Sequence, residues 1–432
     1  MRDLVLVLFI VFGLVVTLRY PFTGILLWTW FTLMNPHQDA YTFATTAPLN
    51  LIIAVVTIGA LAASGQLKMP LQQTIFWMIV VFLAWMTIAT PFSEAPEISW
   101  SLWNTYWKIF ALGILIAATA TDKVRIQALM WVVVISLFYY GVKGGFFVFF
   151  TGGVFRVQGP AGTIIGDNNQ LAVALLMALP LANYLRAHSA RREIRMILLV
   201  GMVLTVVAIV GTYSRGAIIG LAALMLAGWF RVRGKIVYLI VAAIVMVPLL
   251  YFMPQEFYDR LNTMNSLSTD GSFQGRVMAW QVAIYCALDH MPIGAGFGSP
   301  QTAAVFHKYF PDATTHAAHS IYFQVLGDLG FVGAGIYLAL IAGAFMKTFA
   351  INREAKRRPE LRWTQDLTSM IQVSLFVFCV AGAGLSMAYY DLFVILICLV
   401  MPLSEIVMGK KVGQAKFKPA GFVDPQLEQQ NL

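Results

Sequence analysis

Long apolar runs, separated by short polar connections, fill most of this 432-residue chain. A helix that crosses a bilayer needs about 20 apolar residues, and these runs are too long and too apolar for the strands of a soluble protein. The pattern predicts an all-α polytopic membrane protein with about 12 transmembrane helices. The predicted spans are 3–35, 48–64, 72–90, 103–121, 124–150, 168–186, 194–212, 214–230, 235–253, 320–348, 368–388 and 389–408.

The first run, 3–35, is interrupted at Arg19-Tyr20-Pro21 and is long enough for two short spans. Two spans would give thirteen crossings and an outer N-terminus. A single long crossing, kinked or tilted, gives twelve crossings and keeps Arg2 on the inner side, where basic residues are favoured. We therefore expect one crossing and both termini on the same, inner side.

The spans divide the chain into four parts. Residues 1–253 form a predicted membrane bundle of about nine spans, and residues 254–319 form a helical segment outside the membrane. Residues 320–408 carry three further spans, and residues 409–432 form a solvated tail. Within the outer segment, the pattern predicts a helix over 273–289.

Composition supports the membrane assignment and excludes other classes. Hydrophobic residues make up 59% of the chain and charged residues 11%, against about 25% charged residues in a soluble domain. A soluble globular protein and a disordered protein are both excluded. Three cysteines in a chain of this length give neither a disulfide framework nor a CxxC metal pair.

The formal net charge of +9 would suggest nucleic acid or a membrane surface as partner in a soluble protein. Here the Lys and Arg residues cluster in alternate connections, which marks those connections as cytoplasmic. We therefore expect no nucleic acid partner, and we place the segment 254–319 outside, in the periplasm of a bacterium. The basic clusters lie near 68, 123–125, 186–195, 231–235, 347–362 and 410–418.

Basic residues are scarce on the outer side, so each one requires an explanation. Arg215 lies in a turn between two short spans, directly after Tyr213 and Ser214. An arginine at this depth is costly unless it is paired or faces water, and intramembrane ionisable residues are functional by default. Snorkelling to headgroup phosphates is the alternative.

Two further outer arginines, Arg276 and Arg156, are candidates. Arg276 lies on the predicted helix 273–289, with Trp280 one turn later on the same face. An amphipathic helix lying on the membrane would explain this pair equally well. Arg156 shortly precedes Asp167 and Asn169, which stand at the beginning of a span.

The outer histidines suggest a general base. If Thr315 caps the following helix, His316 and His319 share one face of its first turn. The positive end of the helix dipole would favour neutral imidazole, as a base requires. Interfacial or capping histidines and half of a metal site are the alternatives. For a metal site we find no third ligand at diagnostic spacing and no D-x-D in an outer loop.

Together these residues predict a polar, outward-opening cleft in a helical bundle. Guanidinium forks bind phosphate oxygens in a bidentate manner and stay charged. A lipid diphosphate donor is therefore a hypothesis, in which fixed arginines stabilise the leaving group and a histidine deprotonates an acceptor hydroxyl. A flippase or transporter would instead place polar residues near the bilayer midplane on broken helices.

Over roughly residues 155–335 the chain resembles the O-antigen ligase/O-antigen polymerase superfamily of bacterial inner-membrane proteins. His319 aligns with the key histidine of that family, and His316 lies three residues before it instead of the usual two. The matching stretches are RVQG at 156–159, DNNQLA at 167–172, TYSRG at 212–216, GRVMAW at 275–280, PIGAGFG at 292–298, HAAHSIY at 316–322 and GFVG at 330–333.

The resemblance implies a multi-spanning glycosyltransferase of the GT-C type that needs no metal and no other cofactor. Such ligases transfer a glycan from undecaprenyl diphosphate to a lipid A-core hydroxyl at the periplasmic face, with inversion at the anomeric carbon. Carried over by position, Arg215 and Arg276 hold the donor diphosphate and His319 activates the acceptor hydroxyl. The expected substrate-binding residues are Arg156, His316, Tyr213, Ser214, Trp280 and Asn169.

An O-antigen ligase is the expected function, with the glycan donor, lipid A-core and membrane lipids as partners. An O-antigen polymerase, with a second lipid-linked glycan as acceptor, shares this chemistry. A protein O-oligosaccharyltransferase, with Ser or Thr as acceptor, shares it too. The short tail after the last predicted span favours the ligase over the protein-modifying enzymes.

Overall fold

The computed structural model describes residues 2–230 and 271–409, together with isolated positions between 235 and 243. The predicted span 235–253, the first part of the predicted outer segment and the tail after 409 therefore lie outside the described residues. In the described part of the chain, the regular secondary structure is entirely helical.

The described residues form fourteen α-helices. They are α1 (Arg2–Arg19), α2 (Pro21–Met34), α3 (Leu49–Ser64), α4 (Thr74–Ala89), α5 (Pro96–Thr119), α6 (Lys123–Thr151), α7 (Asn168–His188), α8 (Arg192–Gly211), α9 (Arg215–Trp229), α10 (Gly271–Asp289), α11 (Ala303–Tyr309), α12 (Ile321–Ala355), α13 (Arg362–Gly382) and α14 (Asp391–Met408).

Seven stretches of the described chain are long and apolar enough to cross a membrane, which confirms the predicted class of a multi-pass, all-α membrane protein. Three shorter apolar helices, α2, α3 and α9, accompany them. The seven stretches are Thr74–Phe92, Lys123–Thr151, Asn168–His188, Arg192–Gly211, Ile321–Ala355, Pro359–Gly382 and Asp391–Met408.

The run 3–35 forms a helical hairpin, and the expected single crossing is wrong. Pro21 lacks an amide hydrogen and its ring excludes Tyr20 from the helical region, so Tyr20 adopts φ −129° and ψ 85° and α1 ends. The Asp3 carboxylate accepts hydrogen bonds from the backbone of Thr42 (3.0 Å) and Ala44 (3.2 Å). The beginning of α1 therefore lies beside the connection that follows α2.

Helices α7 and α14 form the centre of the bundle. Of the residues in their spans, 78% and 83% are buried, against 39% for α8. Around this centre, α6 and α8 approach each other closely, because Gly141 lies against Thr205 and Gly145 lies against the backbone of Leu204. Small residues four apart on one helix are the usual means of such close packing in membranes.

The helix predicted over 273–289 is confirmed as α10. The segment that contains α10 and α11 is bonded to the α4–α5 connection through the side chain of Glu94. The Glu94 carboxylate lies 2.8 Å from Lys308 Nζ and 2.7 Å from His290 Nε2. Hydrogen bonds from Lys308 and His290 lower the pKa of Glu94 below its ordinary value.

Helix α12 is broken at Gly330, which has φ 68° and ψ −170°. A positive φ is open to glycine without steric cost. Gly294 packs directly on this break, and a methyl group on Gly330 would overlap the carbonyl oxygen of Pro292. The glycines at 294–298 thus form a buried junction with α12.

The last two predicted spans are not contiguous. The sequence placed them at 368–388 and 389–408, whereas α13 ends at Gly382 and α14 begins at Asp391. The connection 383–390, which we call the α13–α14 loop, carries Gly384, Ser386 and two tyrosines. Ser386 of this loop lines the cavity that contains His319.

We predict that Gly330→Ala lowers the unfolding temperature of the purified protein, because the added methyl group meets Pro292 and the residue loses its free access to positive φ. The expected cost is about 1–3 kcal/mol. Gly335→Ala is the matched control on the same helix, since a methyl group there meets nothing within 4 Å. Equal unfolding temperatures for the two variants would contradict the prediction.

Candidate functional site

A cavity of about 270 Å³ opens at one end of the helical bundle. It lies between α5, α7, α10 and the segment that leads into α12. Both motif histidines line this cavity, together with several polar side chains from other helices. Its chemically active lining residues are Tyr106, Gln170, His316, His319, Asp328 and Ser386.

His319 lies just before a helix and not within one, so the prediction that Thr315 caps the helix is wrong. The helix begins at Ile321, and His319 has a left-handed backbone with φ 43°. Two tertiary bonds fix this conformation. The amide of His319 donates to Ser386 Oγ (2.8 Å), and Trp280 Nε1 donates to the carbonyl oxygen of Ala318 (2.7 Å).

The imidazole of His319 is tuned towards its neutral form. Burial is the largest cause that lowers its pKa from the ordinary value of 6.5, and the positive charge of Arg276 lowers it further. The carboxylate of Asp167 acts in the opposite direction and does not reverse the shift. The neutral imidazole predicted from the sequence is thus favoured here, and burial, followed by the charge of Arg276, is its cause.

His316 faces α10. Its ring packs over Gly275, where a methyl group would lie 2.6 Å from His316 Nε2. The same ring nitrogen lies within hydrogen-bond distance (3.0 Å) of Thr314 Oγ1. Gly275, directly before Arg276, therefore provides the space that this imidazole occupies.

Arg276 and Trp280 connect α10 to the rest of the site. The indole of Trp280 stacks on Phe323 of α12, with ring centroids 5.1 Å apart. Arg276 is half-buried and extends towards the α13–α14 loop, since a methyl group at Gly384 would lie 3.9 Å from Arg276 Nη1. The guanidinium thus lies between His319 and that loop.

Arg215 is the first residue of α9 and is half-buried. Ser214 is the N-cap, and its hydroxyl accepts a hydrogen bond from the amide of Ala217 (3.2 Å). Tyr213, which is buried, reverses the chain with a positive φ of 54°. A methyl group at Gly216 would lie 4.0 Å from Leu385, so this turn also contacts the α13–α14 loop.

The beginning of α7 borders the same cavity. Asp167 caps this helix and accepts hydrogen bonds from the amide (2.8 Å) and the side chain (2.7 Å) of Asn169. The next residue, Gln170, lines the cavity and donates to the carbonyl oxygen of Ser386 (3.3 Å). Asn169 therefore orders the helix cap, while Gln170, which the sequence did not single out, faces the cavity.

Arg156 lies in a different place. It lines a separate cavity of about 250 Å³ with Asp39, Tyr140 and Lys143. Its neighbour Val157 donates from its amide to the carbonyl oxygen of Gly211 (2.9 Å), which holds this stretch against the end of α8. The structure does not bring Arg156 into the cavity of His319.

The sequence analysis missed one buried acid, Asp328, which lines the same cavity as His319. Asp328, which is 4% exposed, accepts hydrogen bonds from the amide of Gly298 (3.0 Å) and from Tyr389 (3.3 Å). Tyr106 stacks on Tyr389 with ring centroids 4.2 Å apart. An acid inside an apolar run is itself a functional indication, so Asp328 was open to prediction from sequence alone.

The site thus combines a base, cations and a carboxylate at one end of the bundle. The half-buried His319 suits proton abstraction, and Arg276 supplies positive charge beside it. Within residues 2–230 and 271–409, no three His, Cys, Asp or Glu side chains lie together as a metal site would require. These groups can therefore bind an anionic group of a substrate and transfer a proton beside it.

Fold and site define the class: a multi-pass helical membrane protein with a cavity at one end of its bundle that is lined by two histidines. Residues 200–338 match the O-antigen ligase family. The match extends from α8 into α12 and contains Arg215, Arg276 and both motif histidines. Residues 1–190 match a family of unknown function (DUF5935). No curated protein matches the chain.

We predict that His319 titrates below pH 6.5 and that Arg276→Gln raises its pKa, because a neighbouring positive charge is removed. The measurement is hydrogen–deuterium exchange at the imidazole C2 position as a function of pH, followed by mass spectrometry of the detergent-solubilised protein. Arg195→Gln, at an exposed arginine of α8, is the control and should leave the midpoint unchanged. A midpoint above 6.5 in the unmodified protein would refute the assignment.

Proposed function

We propose that the protein is an O-antigen ligase, which transfers a glycan from undecaprenyl diphosphate to a hydroxyl group of lipid A-core. The observation that carries the proposal is the half-buried His319, whose pKa is lowered in part by Arg276, in the part of the chain that matches the ligase family. A neutral base beside a fixed cation is what attack by a hydroxyl on a diphosphate-activated sugar requires.

In the proposed reaction, His319 takes the proton of the acceptor hydroxyl as its oxygen attacks the anomeric carbon. A new glycosidic C–O bond forms, and the bond from the anomeric carbon to the diphosphate oxygen breaks. The diphosphate leaves with the bonding electron pair, and Arg215 and Arg276 stabilise its charge. Attack opposite the leaving group inverts the anomeric configuration, and the proton balance needs no metal ion.

The other candidate residues have supporting roles in this proposal. Ser214 and Tyr213 set the turn that presents Arg215, and Trp280 holds the backbone next to His319. His316 and Asn169 border the substrate at the rim. Arg156 lies in its own cavity with Lys143, so we assign it to a phosphate group of a bound substrate and not to the reacting diphosphate.

We propose a GT-C type bundle in the bacterial inner membrane, with the site facing the periplasm and the C-terminus in the cytoplasm. The alternation of basic connections supports this orientation. The α1–α2 hairpin replaces the expected first crossing and puts Asp3 on the outer side with residues 41–44. At 14 residues, α2 rises only about 21 Å, less than the roughly 30 Å of the hydrocarbon core.

The decisive experiment gives the purified protein an undecaprenyl diphosphate-linked glycan together with lipid A-core, with a Ser/Thr-rich protein, or with no second acceptor. We expect glycosylated lipid A-core, formed also in the presence of EDTA. Products are separated by gel electrophoresis and identified by mass spectrometry. Longer lipid-linked glycans would establish a polymerase, and glycoprotein would establish a protein-modifying enzyme. Activity that EDTA removes and added metal restores would refute the metal-free step.

We predict that His319→Ala lowers the rate of transfer by about a hundredfold or more, as expected for loss of a general base. Arg276→Lys should cost about tenfold or more, because the bidentate fork is lost while the charge remains. His307→Ala, at an exposed outer histidine, and Arg195→Lys are the matched controls. Wild-type transfer by His319→Ala, in protein that still binds donor, would remove His319 from the mechanism.

A further inference from the structure

A further cavity, of about 200 Å³, adjoins the site on the other side of α5. We propose that it binds one sugar residue of a substrate glycan. This inference rests on the proposed function and assigns a part of the molecule that the transfer step does not use. We refer to it as the α5 cavity. Its polar lining residues are Asn50, Thr105, Lys108, Thr163, Tyr390 and Asp391.

The α5 cavity is next to the reacting groups. On α5, Tyr106 lines the cavity of His319, while Thr105 and Lys108 line the α5 cavity. The α13–α14 loop also contributes to both cavities: Ser386 lines the cavity of His319, and Tyr390 lines the α5 cavity. Neighbouring residues of the same two elements therefore line both spaces.

Residues 162–165, within the stretch 159–166 that precedes α7, form part of the lining of the α5 cavity. The ends of this stretch are joined by a hydrogen bond from the amide of Gly159 to the carbonyl oxygen of Gly166 (3.1 Å). The chain then passes directly into Asp167, the cap of α7, and into Gln170 in the cavity of His319. One continuous stretch of backbone therefore borders both spaces.

Buried polar groups around the α5 cavity have no protein partner in the described part of the chain. Tyr390 is 2% exposed, and its hydroxyl is one such group. The side-chain oxygen of Asn50 is another. Because buried polar groups are nearly always hydrogen-bonded, these two indicate that the α5 cavity holds a polar occupant.

The charges of the lining select the chemical class of that occupant. Lys108 forms no ion pair among the described residues, and Asp391 stands in the same lining. Asp391 presents carboxyl oxygens to the same space, which an isolated phosphate group would meet unfavourably. An acyl chain would leave the ammonium of Lys108 and the side-chain oxygen of Asn50 without a polar partner.

A neutral polyol satisfies all of these groups. Amide, ammonium and carboxylate groups offer donors and acceptors at several points, and neighbouring sugar hydroxyls both donate and accept. The indole of Trp28 supplies an apolar surface in the same lining, as small-molecule sites usually combine apolar walls with a few polar groups. A ring with several hydroxyl groups fits this combination better than an anion or a lipid.

The test measures binding to the full-length protein in detergent by native mass spectrometry, with three probes. These are undecaprenyl diphosphate carrying a tetrasaccharide, the same carrier without sugar, and delipidated core oligosaccharide. We expect Lys108→Met to weaken one of the two glycan-bearing probes by about tenfold, as for loss of a hydrogen bond to a charged group. Binding of the sugar-free carrier should not change.

Lys68→Met, at an exposed lysine of the α3–α4 connection, is the matched control and should bind all probes as the wild type does. Thr105→Trp is a second variant, which fills the α5 cavity from its exposed edge and should cause the same selective loss. Equal unfolding temperatures would show that both variants fold.

Each outcome decides a separate point. Loss confined to the lipid-linked glycan assigns the α5 cavity to the donor, and loss confined to the core oligosaccharide assigns it to the acceptor. Unchanged glycan binding in both folded variants, or equal loss of the sugar-free carrier, would overturn the inference while leaving the ligase proposal intact. Failure of the wild type to bind any glycan-bearing probe would instead contradict the proposed function.

Discussion

The hydrogen bond from the amide of His319 to Ser386 Oγ joins the histidine segment to the α13–α14 loop. It fixes a left-handed backbone at the histidine and anchors the α13–α14 loop. That loop in turn contacts Arg276 through Gly384, the turn of Arg215 through Leu385, and Gln170 through the carbonyl oxygen of Ser386. Groups far apart in the chain therefore converge on one short loop, and the geometry of the candidate site depends on it.

The site is assembled from three stretches of sequence. The part that matches the O-antigen ligase family supplies the histidines and two arginines, and the part that matches the second family supplies Tyr106 and Gln170. Ser386 and Tyr389 come from beyond both matches. The base and the cations thus belong to the ligase-family stretch, while much of the surrounding wall, including most of the α5 cavity, comes from elsewhere.

Much of the fold was predictable because apolar length and helical periodicity are local properties. They located most of the helices and the isolated helix α10. The hairpin at Tyr20-Pro21 was also visible, but the preference for a basic residue on the inner side outweighed it. The conformation of His316–His319 was not predictable. It depends on bonds from Trp280, 38 residues from its partner Ala318, and Ser386, 67 residues from His319, and no local pattern reports such distances.

The break in α12 has a mechanical consequence. It frees carbonyl groups of 327–329 from their own helix, and each accepts a bond from elsewhere: from the amide of Ala295 (2.9 Å), the amide of Gly296 (3.0 Å) and the indole of Trp85 (2.9 Å). Inside a bilayer such groups cannot turn to water instead. These hydrogen bonds therefore join the first turns of α12 to the glycine junction and to α4. The beginning of α12 is thus held from two sides, by α4 and by the glycine junction.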